Sequence, residues 1–309
     1  MNRDWGVGRS DFAAFIEYAR ALVGRESKGM LLGVGTLATP FAPPLLLANA
    51  QQLGHPQVSD REWWSRASSR VQPLTDMLRE QLGMYDAPPQ TMVMAVEPPE
   101  PMGRIDKLLA TTGRAIRAEM RGTLGPVVKT RAGIRHLTAG HVAGRVGMPV
   151  HLIAKRGLGP TRFPRIGTVE FSTDATFGRP EYDVGVVACD SPRGTPCKVA
   201  RVGQHQPAPL NGTLTGGVSG RRFGLIIGSL AAYSDADGRY AWTNSWILTP
   251  GEIGAEGDSG GAVALDNGEI LGILVGGSRV TGSRNFAHLY VQDLECIERD
   301  VLDARNPEA

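Results

Sequence analysis

Cysteine is scarce in this chain: 309 residues hold three, Cys189, Cys197 and Cys296. None flanks the segments that carry the chemistry described below. No disulfide framework is implied, and a reducing compartment is the simpler setting. A secretory leader is missing too, since Met1-Asn2-Arg3-Asp4-Trp5-Gly6 has no basic segment followed by an apolar core. Both absences point to the cytoplasm. The chain also lacks charge of one sign. A net charge of +2 excludes a large basic surface aimed at nucleic acid, while 41% hydrophobic residues are enough to bury a core. His55, His151, His205 and His288 have no partners at metal-ligand spacing, so no metal or other cofactor is implied.

A membrane span is excluded on closer reading. Met30 to Ala50 carries no charge and is about long enough to cross a bilayer. Pro40, Pro43 and Pro44 in its interior would remove helical hydrogen bonds that lipid cannot replace. The segment reads as a buried strand, a turn and a second strand. A second reading sees a strand pair leading to Gln51 where a protease histidine would stand, a decayed copy without downstream acid or serine motifs.

Three motifs stand out, in order: Thr138-Ala139-Gly140-His141, then Tyr182-Asp183-Val184-Gly185-Val186-Val187, then Gly257-Asp258-Ser259-Gly260-Gly261. A serine hydroxyl is a poor nucleophile at neutral pH. It needs a base to take its proton and a buried acid to hold that base in the useful tautomer. Ser259, His141 and Asp183 fill those roles. The glycines let backbone N–H groups converge on a developing oxyanion, a hole assigned to Gly257 and Ser259. Asp174 sits among Ser and Thr, and Asp190 precedes Ser-Pro-Arg-Gly, so both read as loop carboxylates. Asp183 opens a strand whose valines would be buried. His136, in the same strand run as the first motif, reads as structural.

At all three motifs the chain resembles the chymotrypsin-like (trypsin-fold) serine peptidases, over roughly the last six-tenths of its length from about Gly122 onward. The resemblance implies an all-β double six-stranded β-barrel. Short apolar runs separated by Gly, Pro and Asp after Gly122 suit it, with a helix near Val291 to Ala304 closing the chain. It also implies that Ile253, Val275, Gly276 and Gly277 build the primary specificity pocket. Ile253 stands where enzymes selecting Lys or Arg carry an aspartate, so a medium apolar side chain is expected there. Glu256 would bias a neighbouring subsite toward basic side chains unless it is simply solvated. Asp258 is expected to find an internal hydrogen-bond donor.

Residues 1–110 have no counterpart in that family and read as a smaller, mainly α-helical region, with 111–309 as the protease domain. Helices are expected from Ser10 to Gly24, from Ser59 to Gly83 and from Arg104 to Met120, and the Pro-rich Glu97-Pro98-Pro99-Glu100-Pro101 reads as the boundary. The expected function is a serine endopeptidase carrying out limited intracellular proteolysis. Its substrate is a protein or peptide, and residues 1–110 restrict access or recruit a partner. The alternatives are a protease-fold binding protein that is silent until a partner activates it, and an esterase using the same acyl chemistry.

Overall fold

Strands account for most of the described residues, because the apolar runs are short, rich in β-branched residues and cut by glycine. In the computed structural model the described residues are 23, 29, 31–37, 44–53, 92–101, 115–117, 121–154, 162–173, 181–190, 195–202, 210–235, 241–249, 254–279 and 286–303. In chain order the first elements are β1 (Leu31–Leu37), β2 (Pro44–Asn49), α1 (Ala50–Leu53), β3 (Met92–Val96) and β4 (Glu100–Pro101). Seven strands follow: β5 (Ala115–Arg117), β6 (Arg121–Thr123), β7 (Val127–Thr130), β8 (Gly133–Thr138), β9 (Pro149–Leu152), β10 (Arg165–Ser172) and β11 (Gly185–Cys189). Between β8 and β9 lies a single helical turn, α2 (Gly140–Ala143). The remainder is β12 (Leu210–Gly216), β13 (Gly220–Ser234), β14 (Ala241–Thr249), β15 (Ala262–Leu265), β16 (Ile270–Arg279) and β17 (Phe286–Asp293), then α3 (Leu294–Ile297). The last described turn, Glu298–Asp303, is wound as a π-helix.

The first sheet runs β6-β5-β9-β10-β11-β8-β7. Its two end strands are consecutive in sequence. The Gly125 N–H donates to the Leu137 carbonyl at 2.7 Å, and the Leu137 N–H to the Pro126 carbonyl at 3.0 Å, which extends the β7–β8 ladder toward β6. The second sheet runs β12-β15-β16-β17-β14-β13, and β12 pairs back to β13, giving a closed antiparallel ring of six. Of the two six-stranded barrels expected from the sequence, the second is present as a closed barrel and the first is a sheet of seven strands, each with its own apolar interior. Val128, Leu137, Val150, Val169 and Val187 belong to the first, and Leu214, Ile226, Leu248, Val263 and Leu271 to the second. Val275 on β16 packs into the first of these clusters, as do Leu294 and Ile297 of α3. That places β16 at the seam between the two sheets.

The described part of the N-terminal region is built mainly of strands. Among its described residues are four strands and one helical turn, so the mainly α-helical character does not hold for them. The helices expected from Ser10 to Gly24 and from Ser59 to Gly83 lie outside the described residues, apart from Val23. Within the helix expected from Arg104 to Met120, residues Ala115–Arg117 instead form β5, paired with β6 and β9. The two strands expected in the uncharged segment are present. β1 pairs with β2, and also with the far half of the 15-residue β13, so the second sheet continues as β13-β1-β2-β3. This arrangement makes Gln51 part of a helical turn beyond β2. Leu31, Leu32, Leu45, Leu46 and Leu47 are fully buried. Each such leucine contributes about 1.5–3 kcal/mol as an upper estimate, enough to bind this hairpin firmly to the barrel. A continuous apolar run is what a strand covered on both faces requires. No described helix is long and apolar enough to cross a membrane.

Candidate active site

The three motifs meet at the seam. β8 ends at Thr138 and turns into α2, whose second residue is His141. The Asp183 carboxylate approaches this turn from the segment before β11. One oxygen accepts the backbone N–H of His141 at 2.8 Å, and the other lies 2.6 Å from His141 Nδ1. Asp183 has no exposed surface and His141 only 3%. A carboxylate so placed favours the tautomer with the proton on Nδ1, leaving Nε2 as an acceptor. Gly140 makes the approach possible, since a Cβ there would lie 2.8 Å from the Asp183 oxygen.

Asp183 is itself held by a residue that the sequence did not single out. The Gln292 side-chain oxygen accepts the Asp183 N–H at 2.7 Å, while its amide donates to the Glu181 carbonyl at 3.1 Å. Gln292 lies on β17 of the second barrel and is fully buried, so the acid is positioned across the seam. Next to it, Tyr182 donates to Asp300 of the C-terminal turn and accepts from Asn244 at 2.9 Å. Burial, followed by the Asp300 contact, pushes the Tyr182 phenol well above its ordinary range. The other two carboxylates weighed in the sequence fall elsewhere. Asp190 is exposed and lies 3.9 Å from Arg165 Nε, and Asp174 is outside the described residues.

Ser259 lies in the loop before β15, against the β6 end of the first sheet. The Thr123 N–H donates to the Ser259 carbonyl at 2.7 Å, and the Thr123 hydroxyl donates to the Gly257 carbonyl at 3.0 Å. Gly260 packs on Thr138 and Ala139, the residues leading into α2, so closely that a Cβ would come within 2.4 Å of the Thr138 hydroxyl. Gly257 has φ 98°, in the left-handed region that favours glycine. Among the described residues, neither the Gly257 nor the Ser259 N–H is spent on another hydrogen bond. Ser259 is fully buried, and neither its hydroxyl nor His141 Nε2 has a hydrogen-bond partner. Buried polar groups left without partners are costly, and they concentrate where chemistry is done.

Asp258 does find internal donors. One carboxylate oxygen accepts the N–H groups of Val218 and Ser219 at 2.8 and 3.0 Å, and the other accepts the Ala255 N–H at 2.8 Å. All three are backbone groups. The first two come from the turn between β12 and β13, so that hairpin braces the serine loop.

Val275, Gly276 and Gly277 are buried on β16. Gly276 and Gly277 are covered by a strand partner, β4, with Gly276 opposite Pro101 and Gly277 opposite Glu100. Ile253 lies outside the described residues. Glu256 is not a free solvated carboxylate. Its Oε1 accepts from Arg279 at 2.8 Å, which removes the preference for basic side chains expected from Glu256 alone. His136 is buried in β8 with Val127 of β7 and Val187 of β11 as its strand neighbours. No group of three or more His, Cys, Asp or Glu is arranged to hold a metal ion among the described residues.

No protein-family model matches the sequence, and no curated protein matches it. Solved structures do resemble it. A Nocardiopsis protease is 21% identical with a TM-score of 0.43, over 60% of this chain and 93% of that one. Protease A of Thermobifida fusca is 22% identical with a TM-score of 0.42, over 60% and 92%. The active form of the Rv3671c protease from M. tuberculosis is 17% identical with a TM-score of 0.41, over 62% and 78%. The solved structures that this chain resembles are chymotrypsin-like serine proteases.

Proposed function

We propose that this chain is a serine endopeptidase that cleaves protein substrates through an acyl-enzyme. Ser259 Oγ attacks the peptide carbonyl as its proton passes to His141 Nε2. The oxyanion forms against the N–H groups of Gly257 and Ser259. His141 then protonates the leaving amine, and water repeats the sequence on the acyl-serine. Asp183 stays ionised and orients the imidazole. The observation that carries this reading is the two-point grip of the Asp183 carboxylate on His141, with the far nitrogen of the ring left without a partner in a buried site. The chemistry requires no cofactor. Residues 1–110 act as a regulatory region, and the three free thiols suit a reducing cytoplasm.

A second reading is favoured by one feature. Ser259 and His141 are buried and not hydrogen-bonded to each other, as in a protease-fold protein that is silent until a partner engages it. Labelling of the full chain with a fluorophosphonate probe separates the two. Labelling that disappears in Ser259→Ala is expected for the peptidase. An unlabelled chain refutes a self-sufficient enzyme and leaves the partner-activated form.

A further inference from the structure

The strand β4 sits on β16 antiparallel, two residues long, with Glu100 opposite Gly277 and Pro101 opposite Gly276. β16 also forms the seam beside the serine loop, since the Gly260 N–H donates to the Leu274 carbonyl at 2.7 Å. An extended peptide bound to this edge would use the same backbone groups as β4, the usual mode of strand addition. Glycine at both positions leaves the edge bare, so the pairing itself reads little sequence. Side-chain recognition comes from one residue further along.

That residue is Arg279. Its guanidinium lies 4.6 Å over the Phe286 ring and donates to Glu256 at 2.8 Å. Its Nε forms an ion pair with Glu100. Phe286 is only 1% exposed, a fixed platform. Glu256 immediately precedes Gly257, so one cation ties the strand on β16 to the loop of the serine. With the planar fork oriented by a ring and a carboxylate, little freedom is lost when a second carboxylate docks. Before docking, the Arg279–Glu256 pair is neutral overall. Selection for a carboxylate therefore arises from its ion pairing with this oriented cation rather than from net charge.

We propose that Glu100 and Pro101 are a built-in substrate strand occupying the peptide-binding edge of this site, and that Arg279 makes that edge select peptides with an acidic side chain opposite Gly277. The substrate class is an extended acidic segment of a protein, of the form that Glu100-Pro101 presents. This rests on the peptidase reading for its consequence, cleavage, but not for its binding.

The test is made on the full chain carrying Ser259→Ala, where no chemistry intervenes. Hydrogen exchange is followed over residues 274–279, with and without Glu100→Lys. Exchange about tenfold faster in the lysine variant is expected, and unchanged exchange overturns the strand assignment. In the Glu100→Lys background, a fluorescein-labelled hexapeptide copying residues 96–101 is titrated beside the same peptide with Gln for its second glutamate. The acidic peptide is expected to bind about tenfold more tightly, and Arg279→Gln should bring the two affinities together. Equal affinities before that substitution overturn the role of Arg279. Glu100→Gln is the milder companion to the lysine change, and exchange intermediate between parent and Glu100→Lys supports the same contact. These outcomes are independent of fluorophosphonate labelling. An unlabelled chain that still passes both tests loses the peptidase reading and keeps the acidic-peptide site.

Discussion

Replacing Asp258 with asparagine separates holding the serine loop from doing its chemistry. The parent carboxylate accepts three backbone N–H groups, from Val218, Ser219 and Ala255, in a pocket where Asp258 is fully buried. An asparagine keeps one acceptor oxygen and turns an NH2 toward at least one donor. The change thus removes one charge-assisted bond, worth about 1.5–3 kcal/mol, and strands a buried donor at about 1–3 kcal/mol. A total of about 2.5–6 kcal/mol is expected. At about 2–4 °C per kcal/mol for a protein of this order of size, Tm should fall by roughly 5–24 °C. The same strain loosens the backbone on both sides of Ser259, so fluorophosphonate labelling should slow by about tenfold or more. Gly216→Ala provides a control that preserves the charge. A Cβ at Gly216 would lie 2.3 Å from the Asp258 oxygen, so the carboxylate must leave its place and the labelling defect should follow. An Asp258→Asn chain that melts within about 1 °C of the parent and labels at the parent rate would refute the idea that these three bonds hold the loop.

Gln292→Leu leaves the buried Asp183 N–H without its acceptor. The cost should be about 1–3 kcal/mol of stability in urea unfolding, with turnover reduced but not abolished because the Asp183 carboxylate still grips His141. Burial holds the His288 imidazole below its ordinary value of 6.5. As pH falls below that value the unfolded chain takes up a proton that the folded chain refuses, so this residue subtracts stability on the acid side and nothing above it. The urea midpoint should therefore drop less between pH 7.5 and pH 5 in His288→Asn than in the parent chain, and an identical drop would show that His288 titrates normally.

The sequence makes the site legible where chemistry restricts residue type. His141, Asp183 and Ser259 announce themselves because nucleophile, base and acid admit few side chains, and because the glycines around Ser259 allow close approaches and the left-handed Gly257. The barrel strands are legible for a similar reason, as glycine and proline mark the ends of short apolar runs. Three features escape. Gln292 acts through a single acceptor toward a backbone N–H, a role that many polar residues fill and none signals. β4 joins β16 from about 175 residues away through main-chain bonds with no side-chain signature, so its prolines read instead as a linker. β5 is too short, at three residues, to outweigh a helical pattern around it, and only its ladder with β6 and β9 decides its state. Glu256 illustrates the same limit with charge, since its expected subsite preference is removed once Arg279 is seen beside it.

The built-in strand also bears on how such an enzyme stays selective. A segment tethered to its own site competes at an effective concentration on the order of millimolar. A substrate present at about a micromolar and making only the contacts of Glu100 and Pro101 would then occupy the edge about one time in a thousand. Proteins that merely contain a glutamate in an extended loop would be turned away. A productive substrate must match the acidic contact to Arg279 and add interactions elsewhere in the site, or arrive with a partner that draws Glu100 and Pro101 off β16. Limited proteolysis then follows from competition for one strand edge. The short path Glu100–Arg279–Glu256–Gly257 also carries a change of occupant directly to the backbone beside Ser259.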